Sequence, residues 1–101
     1  MKIRVTSDNY RKEVLQSAIP VLVEFFATWC GKCAMMADVL TDLAKEHEGI
    51  FRVWQIDIDQ SADLASEFEV EVVPTFVVFK NGRPVAAAGG VLTKEALAKM
   101  I

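Results

Sequence analysis

Val21-Leu22-Val23-Glu24-Phe25-Phe26-Ala27 is apolar at six of its seven positions and rich in β-branched and aromatic residues. A run apolar on both alternating faces belongs to a central strand covered on both sides. Thr28-Trp29-Cys30-Gly31-Lys32-Cys33 follows directly, and from about Cys30 to Glu48 the period changes. Met36, Val39, Leu40, Leu43 and Ala44 recur three and four apart, one face of a helix, with Gly49 as its C-cap. A strand buried on both faces that feeds a helix is the unit of an α/β protein.

Outward from this unit the alternation continues. Before it, Met1-Lys2-Ile3-Arg4-Val5 alternates as a short strand. Ser7 and Asp8 offer an N-cap to a helix whose face carries Tyr10, Val14, Leu15 and Ala18. After it, Phe51 to Ile58 reads as a strand, with Trp54 packed under a helix, and Asp59 caps a short helix holding Leu64, Ala65 and Phe68. Pro74-Thr75-Phe76-Val77-Val78-Phe79-Lys80 is a further strand. Asn81-Gly82 then supplies a type I′ turn into a return strand over Pro84 to Ala88, which Pro84 places at a sheet edge. Gly89-Gly90 breaks the chain, and Thr93 caps a last helix with Leu97, Met100 and Ile101. The order β-α-β-α-β-α-β-β-α predicts a mainly parallel sheet with helices on both faces and an antiparallel hairpin at the end.

With 101 residues the chain is expected to form one domain over 1–101. Eleven basic against fourteen acidic residues give a net charge of −3, which disfavours a nucleic-acid binder working by phosphate neutralisation. No apolar run approaches the ~20 residues of a helical membrane span. The opening residues carry no secretory leader pattern, so a cytoplasmic location is expected.

The two cysteines stand three apart, as Cys30-Gly31-Lys32-Cys33. A helix N-terminus carries unpaired N–H groups and partial positive charge, which favour a thiolate, and Lys32 adds a full charge. One turn separates the sulfurs, near enough for a disulfide, so the pair can cycle between dithiol and disulfide. Cys30, at the helix mouth, is expected to be the exposed, low-pKa attacker, and Cys33 the resolving thiol. A zinc site is disfavoured, since His47 is the only histidine and lies toward the far end of the same helix. A purely structural disulfide would close too small a loop to constrain the unfolded chain much. Inert thiols are disfavoured beside a lysine at a helix mouth. Met35 and Met36 are read as core or rim packing, His47 as a helix-end residue, and Asp57 with Asp59 as too few ligands for a metal. No metal is expected.

Phe26-Ala27-Thr28-Trp29-Cys30-Gly31-Lys32-Cys33 resembles the active-site segment of the thioredoxin family, whose usual form is Trp-Cys-Gly-Pro-Cys. The resemblance extends along the whole chain. Val72-Val73-Pro74-Thr75 is similar to the family's cis-proline segment, and Phe79-Lys80-Asn81-Gly82 to its hairpin. Gly89-Gly90 matches a glycine lining the docking groove, and Glu24 the buried acid of the strand before the site.

The resemblance implies the thioredoxin fold: a five-stranded mixed sheet in the order 1-3-2-4-5, flanked by four helices. It implies a protein-disulfide reductase in which Cys30 attacks and Cys33 resolves, with no bound cofactor. Pro74 would be cis, Val73 would offer its backbone to an extended substrate, and Trp29 and Gly90 would flank the groove. Trp29, Gly31 and Lys32 would tune the cysteines. Glu24 would be a buried acid holding its proton above the usual carboxylate range and managing the Cys33 proton. Disulfide-containing proteins would be the substrates, an NADPH-dependent flavoprotein, thioredoxin reductase, the electron donor, and the working form a monomer. An oxidase or isomerase, or a thioredoxin-fold binding module, are the alternatives. The chain departs from the family pattern at Glu24 (usually Asp), Phe26 (usually Trp), Gln55 (often Lys) and Asp38 (commonly a kinking proline).

Overall fold

A computed structural model describes residues 2–101; Met1, where the opening strand pattern begins, lies outside them. The elements are β1 (Lys2–Val5), a π-helical turn (Arg11–Leu15), β2 (Val21–Phe26), α1 (Gly31–Met35), α2 (Ala37–Glu46), β3 (Arg52–Asp57), α3 (Ala62–Glu67), β4 (Thr75–Lys80), β5 (Arg83–Gly89) and α4 (Lys94–Met100).

The sheet has five strands in the order β1-β3-β2-β4-β5. β1, β3 and β2 run parallel, while β4 is antiparallel to both β2 and β5. β2 is central and buried along its whole length, as its apolar composition requires. Its alternate residues serve two cores. Val21, Val23 and Phe25 pack with Val14, Ile56 and Phe79, and Leu22 packs on the other face with Leu40, Leu43, Phe76 and Leu97. Full burial of each large aliphatic or aromatic side chain contributes about 1.5–3 kcal/mol before entropy is counted. Glu24 is the exception in the strand: a carboxyl 1 % exposed, directly opposite Gln55 of β3 and Phe76 of β4.

Four local expectations are corrected. Ser7 and Asp8 do not cap the first helical segment. Instead Asn9 Oδ1 accepts from Thr6 N at 2.7 Å, and Ser7 Oγ donates to Asp63 Oδ1 at 2.6 Å. The segment is a wide turn closed by Gln16 N–H to Arg11 O at 2.9 Å, which buries Val14 and leaves Ala18 exposed. Trp54 locks it by donating Nε1–H to Glu13 O at 2.8 Å.

The helix expected from Cys30 to Glu48 is broken at Met36. Met36 N–H bonds back only three residues, to Cys33 O at 3.1 Å, and Leu40 N–H to Met36 O opens α2. The break needs no proline; Asp38 stands in the first turn of α2, where a negative charge is favoured. Asp59 does not cap α3, whose N-cap position is Ser61. Asp57 Oδ1 takes the turn, accepting from Asp59 N at 2.9 Å and Gln60 N at 3.3 Å.

The β4–β5 hairpin turns through Asn81 (φ 54°) and Gly82 (φ 77°), as the type I′ reading requires. Glycine is needed at 82 for space as well, since a Cβ there would lie 2.8 Å from Leu15 O. Pro84 sits on the edge strand opposite Phe79, beside a register shift.

Candidate active site

The C-terminal end of β2 delivers the chain to the site. A turn closed by Cys30 N–H to Ala27 O (3.2 Å) aims Trp29 outward and sets Cys30 at the N-cap of α1. Cys30 has extended backbone (φ −92°, ψ 113°), and its Sγ accepts from Cys33 N–H at 3.2 Å. A sulfur in the N-cap position thus takes one of the orphan donors of the first turn, an arrangement that serves negative charge on that sulfur.

Both cysteines are free thiols. Cys30 is half-buried, while Cys33 is 8 % exposed beneath it. The Cys33 thiol is pushed up to about 12, chiefly by burial, then by its hydrogen bond with Cys30 and the neighbouring Cys30 and Glu24 charges; a backbone hydrogen bond at Ala27 pulls the other way. Cys33 therefore keeps its proton at neutral pH.

The opposite wall is the segment before β4. The Val73–Pro74 bond is cis. Cys30 Sγ donates to Val73 O at 3.6 Å, so the Cys30 sulfur and this backbone carbonyl face each other directly. Thr75 Oγ1–H to Val72 O (2.6 Å) and Gly90 N–H to Pro74 O (2.9 Å) brace the segment. Gly90 has φ +93°, a conformation that favours glycine, and a Cβ there would meet no atom within 4 Å. Val72 and Val91 expose apolar surface in the same two segments.

Trp29 is 69 % exposed, and its Nε1–H bonds Asp59 Oδ2 at 2.8 Å. Asp59 thus orients the indole, a role that the reading of Asp59 as a helix cap missed. The topology held the clue: β3 lies beside β2, so the loop after β3 must emerge next to the turn after β2. Lys32 and Gly31 are exposed on α1, and no atom lies within 4 Å of a Cβ at Gly31.

Beneath the cysteines lies a cavity of about 280 Å³ lined by Glu24, Phe26, Ala27, Cys30, Cys33 and Gln55, among others. Glu24 Oε1 accepts from Gln55 Nε2 at 2.8 Å within it. The cavity therefore joins a buried carboxyl to both sulfurs. His47 is remote in role, its Nδ1 3.0 Å from Leu43 O and its ring stacked on Phe51. Among the described residues no group of three or more His, Cys, Asp or Glu is placed to hold a metal ion. Among them, too, no helix is long and apolar enough to cross a membrane.

The family profile for thioredoxin matches residues 1–101. The chain belongs to the thioredoxin family. It is 36 % identical to thioredoxin 1 of Nostoc sp. over 97 % of this chain and 92 % of that one. Identity to the thioredoxin of Staphylococcus saprophyticus is 41 %, over 98 % of this chain and 93 % of the relative. The bifunctional thioredoxin reductase/thioredoxin of Mycobacterium leprae is 42 % identical over 94 % of this chain, which spans 21 % of that longer protein. With the Cys30–Cys33 spacing, thioredoxin membership makes the chain a thiol–disulfide oxidoreductase, a protein-disulfide reductase.

Proposed function

We propose that the chain reduces disulfides in other proteins through a two-thiol cycle that needs no resident cofactor. Cys30 attacks one sulfur of the substrate disulfide. A Cys30–substrate bond forms, the substrate S–S bond breaks, and the released substrate sulfur takes a proton. Cys33 then attacks Cys30 Sγ, forming the Cys30–Cys33 disulfide and expelling the second substrate sulfur. The Cys33 proton passes to Glu24. Two thiols of this chain are oxidised to one disulfide and the substrate disulfide is reduced to two thiols.

Docking follows from the same geometry. An extended substrate segment bonds the backbone of Val73, beside Pro74, with Trp29 and Gly90 on either side. Backbone pairing of this kind tolerates varied side chains. Trp29, Gly31 and Lys32 tune the attacking sulfur. An NADPH-dependent flavoprotein, thioredoxin reductase, returns the electron pair; in support, the Mycobacterium leprae relative is named for both activities. The chain works as a monomer in the cytoplasm, where thiols are kept reduced.

The observation that carries this reading is the pairing of a half-exposed Cys30, 3.6 Å from Val73 O, with a covered, protonated Cys33 behind it. Cys33→Ser is expected to leave substrates covalently held on Cys30, released by added dithiothreitol. Recovery of no disulfide-linked species from cells expressing that variant overturns the order of attack.

A further inference from the structure

β5 is an edge of the sheet, with no strand beyond it among the described residues. Its last ladder bond fixes which way its backbone faces. Gly90 N–H donates to Pro74 O at 2.9 Å, just past the Gly89–Thr75 pair. Along an antiparallel ladder, residues that turn N–H and C=O to the neighbouring strand alternate with residues that turn them away. Counting back from Gly90, Ala88 opposite Phe76 and Ala86 opposite Val78 face β4. Gly89 and Ala87 therefore turn their N–H and C=O outward, and both residues are exposed.

An open edge invites pairing, and proteins guard edges with proline, charge, bulges or short strands. β1, the other edge, has four residues and carries Lys2 and Arg4. β5 is guarded only at its start, by Arg83, Pro84 and the register shift beside Phe79. From Val85 to Gly89 it has neither a charge nor a proline, and Val85 is 53 % exposed. The unguarded half runs toward the reactive end. It closes at Gly90, which bonds Pro74, the residue after the Val73 whose carbonyl lies 3.6 Å from Cys30 Sγ.

We propose that the Ala87–Gly89 edge of β5 is a second docking site for the disulfide substrate. It takes, as an added strand, an extended segment of low charge that flanks the substrate cystine. The inference rests on the proposed seating of the substrate at Val73, which it prolongs. In strand addition the main-chain hydrogen bonds supply affinity. About three extended residues, at about 3.4 Å each, carry a chain from Gly90 to Ala87. A substrate already held at the groove reaches the edge as an intramolecular event, so even a ladder of two outward residues adds affinity. The same short ladder is a poor seat for a second copy of this chain, which starts with no such tether and meets Pro84 three residues from Ala87. The edge lies outside the thiol cycle, so it acts on KM and not on kcat.

The test uses the reduced full chain and a set of peptides that share one cystine. One peptide has no residues beyond those adjoining the cystine. A second carries extended arms rich in valine and threonine. Two more carry the same arms N-methylated at alternate residues, in the odd or the even register, which strips the donors from one edge of the strand at a time. The arms are expected to raise kcat/KM by about tenfold through KM, with kcat within about twofold. One methylated register should lose that gain and the other keep it. Ala87→Pro removes an outward N–H while Ala86 and Ala88 keep their bonds to β4. It should bring the armed peptide down to the armless rate and leave the armless rate within about twofold of wild type. If Ala87→Pro fails to fold, the two methylated registers still decide the matter on the wild-type chain.

Equal kcat/KM for armed and armless peptides, or equal loss in both methylated registers, overturns the proposal. A concentration-dependent dimer in sedimentation that Ala87→Pro dissolves makes a second copy the occupant and overturns it too. N-methylating the residues that adjoin the cystine in the armless peptide tests the Val73 seating separately. If that leaves kcat/KM unchanged, the seating falls and this inference with it. If it lowers kcat/KM while the arms add nothing, only the β5 edge falls.

Discussion

Two cavities of similar size lie at opposite ends of the molecule's strands, and one of the two holds both thiols. The larger, about 320 Å³, lies where β3 begins, lined by Ile3, Ile19, Ala44, Phe51, Val53 and Trp54, with Glu48, Gly49 and Arg52. The other, about 280 Å³, lies where β2 ends, and its wall carries Glu24, Gln55 and both thiols. Volume does not separate them. What separates them is that the second joins a buried acid and sulfur to the end of a strand and the start of a helix. In α/β sheets the carboxyl ends of the strands are where such sites gather. The first cavity leaves its ionisable groups near the surface: Arg52 donates to Ser17 Oγ at 3.2 Å, and Glu48 is exposed.

The sharpest way to break this contrast is to damage each end separately. Cys30→Ser is expected to bring insulin-disulfide reduction down to the uncatalysed background while leaving the unfolding midpoint close to wild type. Phe51→Ala, which removes a buried ring from the other cavity wall, is expected to cost about 3–5 kcal/mol in urea unfolding. Its turnover per folded molecule should stay within about twofold of wild type. A Phe51→Ala protein with intact stability, or with redox chemistry impaired in proportion to Cys30→Ser, defeats the division of labour.

Within the reactive cavity the two sulfurs differ just as strongly. A thiol held up at about 12 is ionised to only about one part in 10⁵ at pH 7, against about 1 % for an ordinary thiol at 9.0. Iodoacetamide at neutral pH should therefore modify Cys30 at least about a hundredfold faster than Cys33; equal rates defeat the assignment.

The same shift sets the pH dependence of stability. Between the ordinary value of 9.0 and about 12 the unfolded chain releases the Cys33 proton and the native chain keeps it. Stability of the dithiol form thus falls as pH rises through that window and levels off above it, by at most about 1.4 kcal/mol per pH unit. Tyr10, raised to about 12 by burial and then by Glu67, adds a loss of the same sign between about 10 and about 12, in both oxidation states. The Cys30–Cys33 disulfide form has no Cys33 proton to lose. Subtracting its pH–stability curve from that of the dithiol form isolates the two thiols, and the same subtraction on Cys30→Ser against wild type assigns the share of Cys33; a difference that stays flat between pH 9 and about 12 in both shows that the Cys33 thiol is not perturbed.

Lys32 gives a smaller effect. Its positive charge, next to Cys33 in sequence and exposed on α1, is expected to favour the thiolate and hence the reduced form, and proline, whose φ suits a helix's first turn, is missing. A reduction potential between about −270 and −180 mV, the values typical of thioredoxin and of protein disulfide isomerase, is the expected outcome. Lys32→Pro should lower it in a glutathione redox titration. An unchanged or higher potential removes Lys32 from the account.

Much of this was legible in the residues because it rests on patterns the chain repeats. The run Val21 to Ala27, apolar at six of seven positions, reads as a central strand, Asn81-Gly82 dictates its turn, and a cysteine pair beside Trp29 announces its own chemistry. Val73 was legible only through resemblance, since nothing in a valine marks a backbone carbonyl that will face a sulfur. The misreadings share a cause. Ser7, Asp8 and Asp59 were assigned to the nearest helix, as capping residues are, whereas the structure commits Ser7 and Asp59 to partners 56 and 30 residues away. A cap is a local guess, and long-range hydrogen bonds of short polar side chains leave no periodic trace. The break at Met36 escaped for a similar reason, because the apolar spacing of the helix runs across it without interruption.

The smallest expected effect tests where the reactive end stops. Glu69 has φ +53°, immediately after α3. Val70 N–H bonds Ala65 O at 2.9 Å and Glu69 N–H bonds Ser66 O at 3.1 Å, the paired closure of a helix whose next residue is left-handed. Glycine takes that conformation without the steric cost a Cβ brings, although it also loses more freedom on folding. Where the native φ is positive the first term wins, so Glu69→Gly should stabilise the chain by about 0.5–1 kcal/mol and raise Tm by about 2–8 °C. Glu69 precedes Val73 by four residues, on the segment that leads into the cis bond. If the strain at Glu69 belongs only to the helix end, the rate of Cys30 attack on a model disulfide will stay within about twofold of wild type. A stabilised Glu69→Gly protein whose attack rate falls further than that would mean the turn helps hold Val73 O opposite Cys30. The reactive end would then begin at the close of α3 and not at Val72.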